Sequence, residues 1–222
     1  MAQLAMGVGT SHGPLLNTPP AEWEQRATAD RRNKELIYRG DSYDFDGLRA
    51  ARGRDFSGEC ALEVRQARHA ACRAAIAELG RRVKAAALDV LVVVSSDHKE
   101  IFDDELMPRF AFYWGDSVAH EPYTKEQLDT MPPGLAIAEV ANQPDVATVR
   151  GCHPALARHL LKETSNAGFD PGASLRLPAG RFENSSIPHG WGFIYQQILG
   201  GDYEIPVVPV FVNTFWEPNP PS

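Results

Sequence analysis

The 222-residue sequence predicts an α/β domain with a central sheet covered by helices. Three observations predict it. Residues 59–87 carry the pattern of a long helix, rich in Ala, Arg, Glu and Leu. A β-branched run, Leu88 to Ser95, follows at once and reads as a strand buried on both faces. A second β-branched run, Ile205 to Asn213, closes the pattern. With the short strand-like run Leu4 to Thr10 ahead of the long helix and Leu88 to Ser95 behind it, strand, helix and strand follow in succession, the α/β signature.

Taken in order, Leu4 to Thr10 reads as a short buried strand stopped by the Ser11-His12-Gly13-Pro14 turn. Residues 17–33 open on Pro19-Pro20 and turn charged, which suits a surface helix. Residues 34–57 are polar, with Tyr38, Tyr43 and Phe45 interleaved. They read as a lid or partner-docking insertion, or equally as a surface loop. In the long helix, Ala61, Val64, Ala71, Ala75, Leu79 and Val83 share one face. Pro108 to Trp114 is a strand and Leu135 to Val140 a helical stretch. His153 to Ala167 is an amphipathic helix with Leu156, Leu160 and Leu161 inward, ended by Gly168 and Pro171. Ile187 to Leu199 holds Pro-His-Gly-Trp-Gly and then a helical run, and Trp216 to Ser222 is Pro-rich.

Composition narrows the function classes. At 43% hydrophobic and 23% charged the chain has the make-up of a globular protein and can bury a core. Its 22 basic and 29 acidic side chains give a net charge of −7, which argues against nucleic acid as the main partner. The longest apolar run, Val90 to Val94, is strand-sized, so no membrane span is expected. No secretory signal is evident. Cys60, Cys72 and Cys152 lack CxxC spacing and suit reduced thiols in a cytoplasm.

Chemistry is sought among seven histidines. His69 and His159 lie in helix patterns and suit surface or boundary positions, and His153 suits a first helical turn before Pro154. His120 sits in a polar stretch without an assignment. His12, His98 and His189 differ: each follows an apolar segment and sits among turn-formers. Polar residues at the C-terminal ends of strands meet where α/β sheets bind ligands. These three are therefore candidates for a metal or acid–base site, against a structural role for each taken alone.

Four places in order resemble the class III extradiol dioxygenases, a superfamily that includes the protocatechuate 4,5-dioxygenase catalytic subunit and the gallate and 3-O-methylgallate dioxygenases. Gly9 to Leu16 resembles the family's opening Ser-His-x-Pro motif. Val92 to His98, with Ile101-Phe102 and Met107-Pro108-Arg109-Phe110 behind, resembles its strand ending in Asp-His. His189-Gly190 before an apolar helix ending at Leu199-Gly200-Gly201 resembles its third histidine motif. Ile205 to Asn213 resembles the strand after that.

The resemblance implies a central mixed sheet flanked by helices, and a non-haem Fe(II) enzyme opening the ring of a catechol- or gallate-type aromatic acid with O2. It makes His12 and His98 two metal ligands of a two-histidine, one-carboxylate set. It makes His189 a catalytic acid–base group. Trp191 is a candidate wall for the aromatic substrate, and Phe193 suits the core. Asp97 is a candidate to orient a ligand, although strand alternation points it away from His98. The segment Asp30 to Asn33 resembles the gallate branch. Relatives imply a small partner subunit or a homo-oligomer.

Two departures stand out. Pro188 occupies the place of an acidic residue that usually precedes the third histidine. The family's carboxylate ligand and a further active-site histidine lie beyond the last matching strand, so the resemblance implies a single catalytic-domain fragment, 1–222, truncated at its C-terminus. Glu217 lies too near that strand to take the missing role. Two other readings stay open: a non-oxygenase binding or signalling protein on the same scaffold, and a zinc-dependent hydrolase.

Overall fold

The computed structural model describes residues 3–214 together with Asn219. The expectations for Trp216 and Glu217 lie outside the described residues. The chain divides into two compact units. One comprises Met1–Thr10, Glu78–Tyr123 and Asn142–Ser222, the other Ser11–Ala77 and Thr124–Ala141.

The smaller unit begins at Ser11, and a 3-10 turn, Pro14–Leu16, follows His12. Helix α1, Trp23–Arg32, follows Pro19-Pro20 as its charge pattern predicts. Residues 34–57 are more ordered than their polarity suggests. Strands β1, Leu36–Tyr38, and β2, Asp41–Tyr43, pair antiparallel as a hairpin with Tyr38 opposite Asp41. The two loop residues, Arg39 and Gly40, have φ of 54° and 90°, the positive angles of a mirror-image turn matched to strand twist. Helix α2, Phe45–Arg52, is capped by Asp44, whose carboxylate accepts from the Gly47 N–H at 2.8 Å. The long helix α3, Leu62–Ala85, contributes to both units. Short helices α4, Lys125–Asp129, and α5, Ala136–Val140, complete the smaller unit.

The inward face of α3 is displaced from the predicted stripe. Ala71 and Ala75 are exposed, whereas Ile76, Gly80 and Val83 are buried and Arg65, His69 and Arg73 half-buried. Polar side chains hold that face. His69 Nε2 donates to the Leu16 carbonyl at 3.2 Å and Arg73 donates to Asn17 Oδ1 at 3.1 Å, so both secure the turn that follows His12. A stripe judged by apolarity alone rotates away from them.

The larger unit is built on a mixed four-stranded sheet. Its strands are β3, Leu91–Ser96, β4, Phe110–Tyr113, β7, Gly172–Ser174, and β8, Val207–Val212, in the order β3-β8-β4-β7. Strand β3 runs parallel to β8, with Leu91 opposite Val207 and Ser96 opposite Val212. Strand β4 runs antiparallel to β8 and parallel to β7. A separate antiparallel pair joins β5, Ser117–His120, to β6, Thr148–Gly151. Helix α6, Pro154–Asn166, is predicted nearly to the residue, and His153 caps it by accepting from the Leu156 N–H at 3.1 Å.

On one face of the sheet, Ala157, Leu156, Leu160 and Leu161 of α6 pack on Phe112, Val208 and Val210. Phe211, of the opposite parity on β8, stacks against Trp191 at 4.4 Å and meets Phe102 edge-on at 5.3 Å. Strand β8 is thus covered on both faces. That corrects the expectation for β3, an edge strand whose Val92 and Val94 are exposed. The two runs are alike in sequence; only pairing separates centre from edge.

The first expected strand, Leu4 to Thr10, is also corrected: the segment is irregular and Leu4 and Val8 are exposed. Gly7 and Gly9 weaken any strand there. All three cysteines are free thiols. Among the described residues no helix is long and apolar enough to cross a membrane.

Candidate active site

The turn after β3 presents several of the candidate residues. Asp97 is fully buried, and its carboxylate accepts from the Ile101 N–H at 3.0 Å and the Phe102 N–H at 2.7 Å. Burial pushes its pKa up to about 7, against the pull of the Phe102 N–H, with the nearby Glu100 charge adding to the rise. Asp97 therefore organises the turn backbone, as strand alternation suggested. The chain then passes through His98 and Lys99 at φ of 56° and 58°, left-handed angles that cost non-glycine residues of order 1 kcal/mol or more each. Such strain, held in place by a buried cap, is common where a side chain must be aimed.

Glu100 emerges from this turn with its backbone fixed. Its carbonyl accepts from the Arg181 N–H at 2.8 Å. A Cβ on Gly180 would lie 2.2 Å from that carbonyl oxygen, and Gly180 itself has φ of 68°, so only glycine suits this approach. The Glu100 carboxylate grips His189 at two points. One oxygen pairs with the ring Nδ1. The other accepts from the His189 N–H at 3.1 Å and from the Tyr123 hydroxyl at 3.3 Å. With Nδ1–H donating to a carboxylate, Nε2 is the basic nitrogen of the ring.

His189 opens helix α7, His189–Phe193, which runs on into a π-helical turn, Ile194–Ile198. Pro188 offers no side-chain cap there, and Glu100 satisfies a first-turn N–H from 89 residues away. The rings of His98 and His189 lie 5.2 Å apart, tilted by 34°. Burial lowers the His98 pKa, and the charge of His189 lowers it further while Glu100 opposes both. Both effects favour the neutral imidazole of His98, the form that ligates metals.

Behind α7 lies His120, fully buried at the end of β5. Its Nε2 donates to the Asn142 carbonyl at 3.0 Å, and its ring lies 5.5 Å from that of Tyr195. Burial pushes its pKa down to about 4, with the Arg150 charge acting the same way against the Asn142 hydrogen bond. The helix comes this close because residue 192 is glycine: a Cβ would meet the Asn142 carbonyl oxygen at 2.5 Å. Trp191 is fully buried against Phe211 and Phe193 is equally buried, so both rings serve core packing.

Three histidines offer ring nitrogens able to ligate a metal ion: His98 and His189 in the larger unit and His12 in the smaller. A neutral His98 beside a carboxylate-backed His189 fits a metal that takes nitrogen ligands. Glu100 is engaged through both oxygens, so it completes no two-histidine, one-carboxylate set as placed. Glu100, Asp97 and Gly180 were not singled out as a unit from sequence. The one available signal was a carboxylate two residues past His98. Comparison with protein-family models and with curated proteins gives no match.

Proposed function

We propose that the chain carries the catalytic machinery of a non-haem Fe(II) extradiol dioxygenase acting on a catechol- or gallate-type aromatic acid. The observation that carries this reading is the Glu100–His189 pair set 5.2 Å ring to ring from His98. Ring opening between hydroxyl-bearing and neighbouring carbons needs a group that takes a proton from the substrate and gives one back. An imidazole backed by a carboxylate does both near neutral pH.

In this reading His98 and His12 ligate the metal, the latter on the strength of its Ser-His-Gly-Pro motif. Fe(II), when bound, supplies the charge that acidifies the catechol hydroxyls and the redox centre for O2. His189 Nε2 receives the hydroxyl proton, and Glu100 stabilises the imidazolium and holds the ring in one tautomer. Tyr123, by donating to the same carboxylate, helps hold it in place behind the ring. The third, carboxylate ligand is assigned to no residue of 1–222. The small partner subunit or homo-oligomer implied by the resemblance belongs to the same proposal.

One observation favours a second reading. A carboxylate behind a histidine is also the arrangement found behind zinc-bound histidines. His12, His98 and His189 would then be a three-nitrogen zinc set of a hydrolase, with His189 a ligand. His189→Gln separates the two. The dioxygenase reading predicts bound Fe(II) at wild-type stoichiometry with ring opening lost. The zinc reading predicts loss of the metal itself, measured by elemental analysis after anaerobic loading.

A further inference from the structure

At the opposite end of the β3–β8 pair from His98 lies a cavity of about 350 Å³, in the range of small-ligand sites. His98 follows the last residues of β3, while the cavity is lined by Glu204 and Ile205 just before β8 begins. The strands are parallel and six residues long, so roughly 16–20 Å of sheet separates the two.

Its walls are Val149, Ile205 and the rings of Tyr195 and Tyr203; its charged residues are Arg150 and Glu204. Arg150 is only 8% exposed. One nitrogen donates to the Gly201 carbonyl at 2.9 Å, and the guanidinium lies 5.0 Å from the Tyr195 ring centre. Its Nε is buried with no hydrogen-bond partner, and so is the Tyr195 hydroxyl. Among the described residues no carboxylate forms an ion pair with Arg150, and Glu204 stands exposed at the rim. Folded proteins rarely leave a buried cation without a counter-charge, because desolvation costs several kcal/mol.

We infer that this cavity is a second ligand site, taking a small organic anion whose carboxylate meets Arg150 and whose apolar body lies among Tyr195, Tyr203 and Ile205. A guanidinium supplies planar charge-assisted donors that match a carboxylate, and the tyrosine rings accept a flat apolar body. The exposed Glu204 carboxylate opposes anion entry and sets the affinity low.

The test is a titration of the whole chain with benzoate at low ionic strength, followed by amide chemical shifts, with neutral benzamide as the control. Saturable shifts around Arg150 and Tyr203 are expected with benzoate and not with benzamide. Arg150→Met is expected to weaken binding at least tenfold. Glu204→Gln, an exposed change that leaves the core intact, is expected to strengthen it severalfold. A His98→Ala, His189→Ala double variant is expected to bind as wild type does. No saturation in wild type, equal binding of benzamide, or indifference to Glu204→Gln overturns the inference even if Arg150→Met fails to fold. Loss of binding in the double histidine variant would place the anion at the histidines and overturn it as well.

Discussion

Glu100 holds His189 at two points, the ring Nδ1 and the backbone N–H, across 89 residues of sequence. One carboxylate thereby sets the orientation and tautomer of the imidazole and caps the helix that carries it.

Glu100→Gln keeps the shape and removes the charge. On the proposed reading the imidazolium of His189 then lacks its counter-ion, so the acidic limb of the pH–rate profile shifts to lower pH. Catalysis is expected to drop roughly 10- to 100-fold, part of the 10²–10⁴ that a general base supplies. The check is a pH–rate profile beside wild type. An unchanged profile would mean that the contact is only a helix cap.

The turn that presents Glu100 is expected to be fragile at two points. Asp97→Ala leaves the Ile101 and Phe102 N–H groups buried and unpaired, at a cost of about 1–3 kcal/mol. Gly180→Ala forces a Cβ towards the Glu100 carbonyl at a left-handed φ and should cost a similar amount. Urea unfolding measures both. Each variant should also lower turnover more than metal content, since the carbonyl and carboxylate of Glu100 move together. Wild-type stability in both would contradict the described turn.

His120 gives the fold an acid-sensitive component. Its ordinary pKa is near 6.5 and the folded value is about 4, so the unfolded chain binds the proton more readily between those values. The associated stability is complete above pH 6.5 and is lost as pH falls from there through about 4. The loss should reach about 2–3 kcal/mol by pH 4.5. Comparing urea midpoints of wild type and His120→Asn at pH 7.5 and 4.5 isolates it. An equal slope in both proteins would show that other groups carry the acid sensitivity.

Much of the fold was legible because local chemistry agreed with tertiary placement. Helix α6 has Pro154 at its start, leucines at helical spacing and Gly168 beyond its end, and it forms as expected. Strand β8 reads correctly for the same reason. The hairpin at residues 36–43 escaped notice because its turn is Arg39-Gly40 rather than Asn-Gly, and polar strands this short give no period. The face of α3 was misplaced because arginines and a histidine line it.

At the site, motifs singled out His98 and His189, which lie ring to ring in the larger unit. They could not disclose Glu100. Its partnership depends on a buried aspartate, two left-handed residues and a glycine 80 positions downstream, none of which leaves a periodic trace. Nor could they disclose His120, whose environment arises only when Gly192 admits Asn142.

The most direct test of the central claim is O2 uptake by the protein loaded anaerobically with Fe(II), offered protocatechuate, gallate, 3-O-methylgallate and simple catechols. The account predicts uptake with a coloured ring-opened product from at least one of them, abolished in His12→Ala, His98→Ala and His189→Gln. A folded, iron-loaded protein that leaves every one of these substrates unchanged would contradict it.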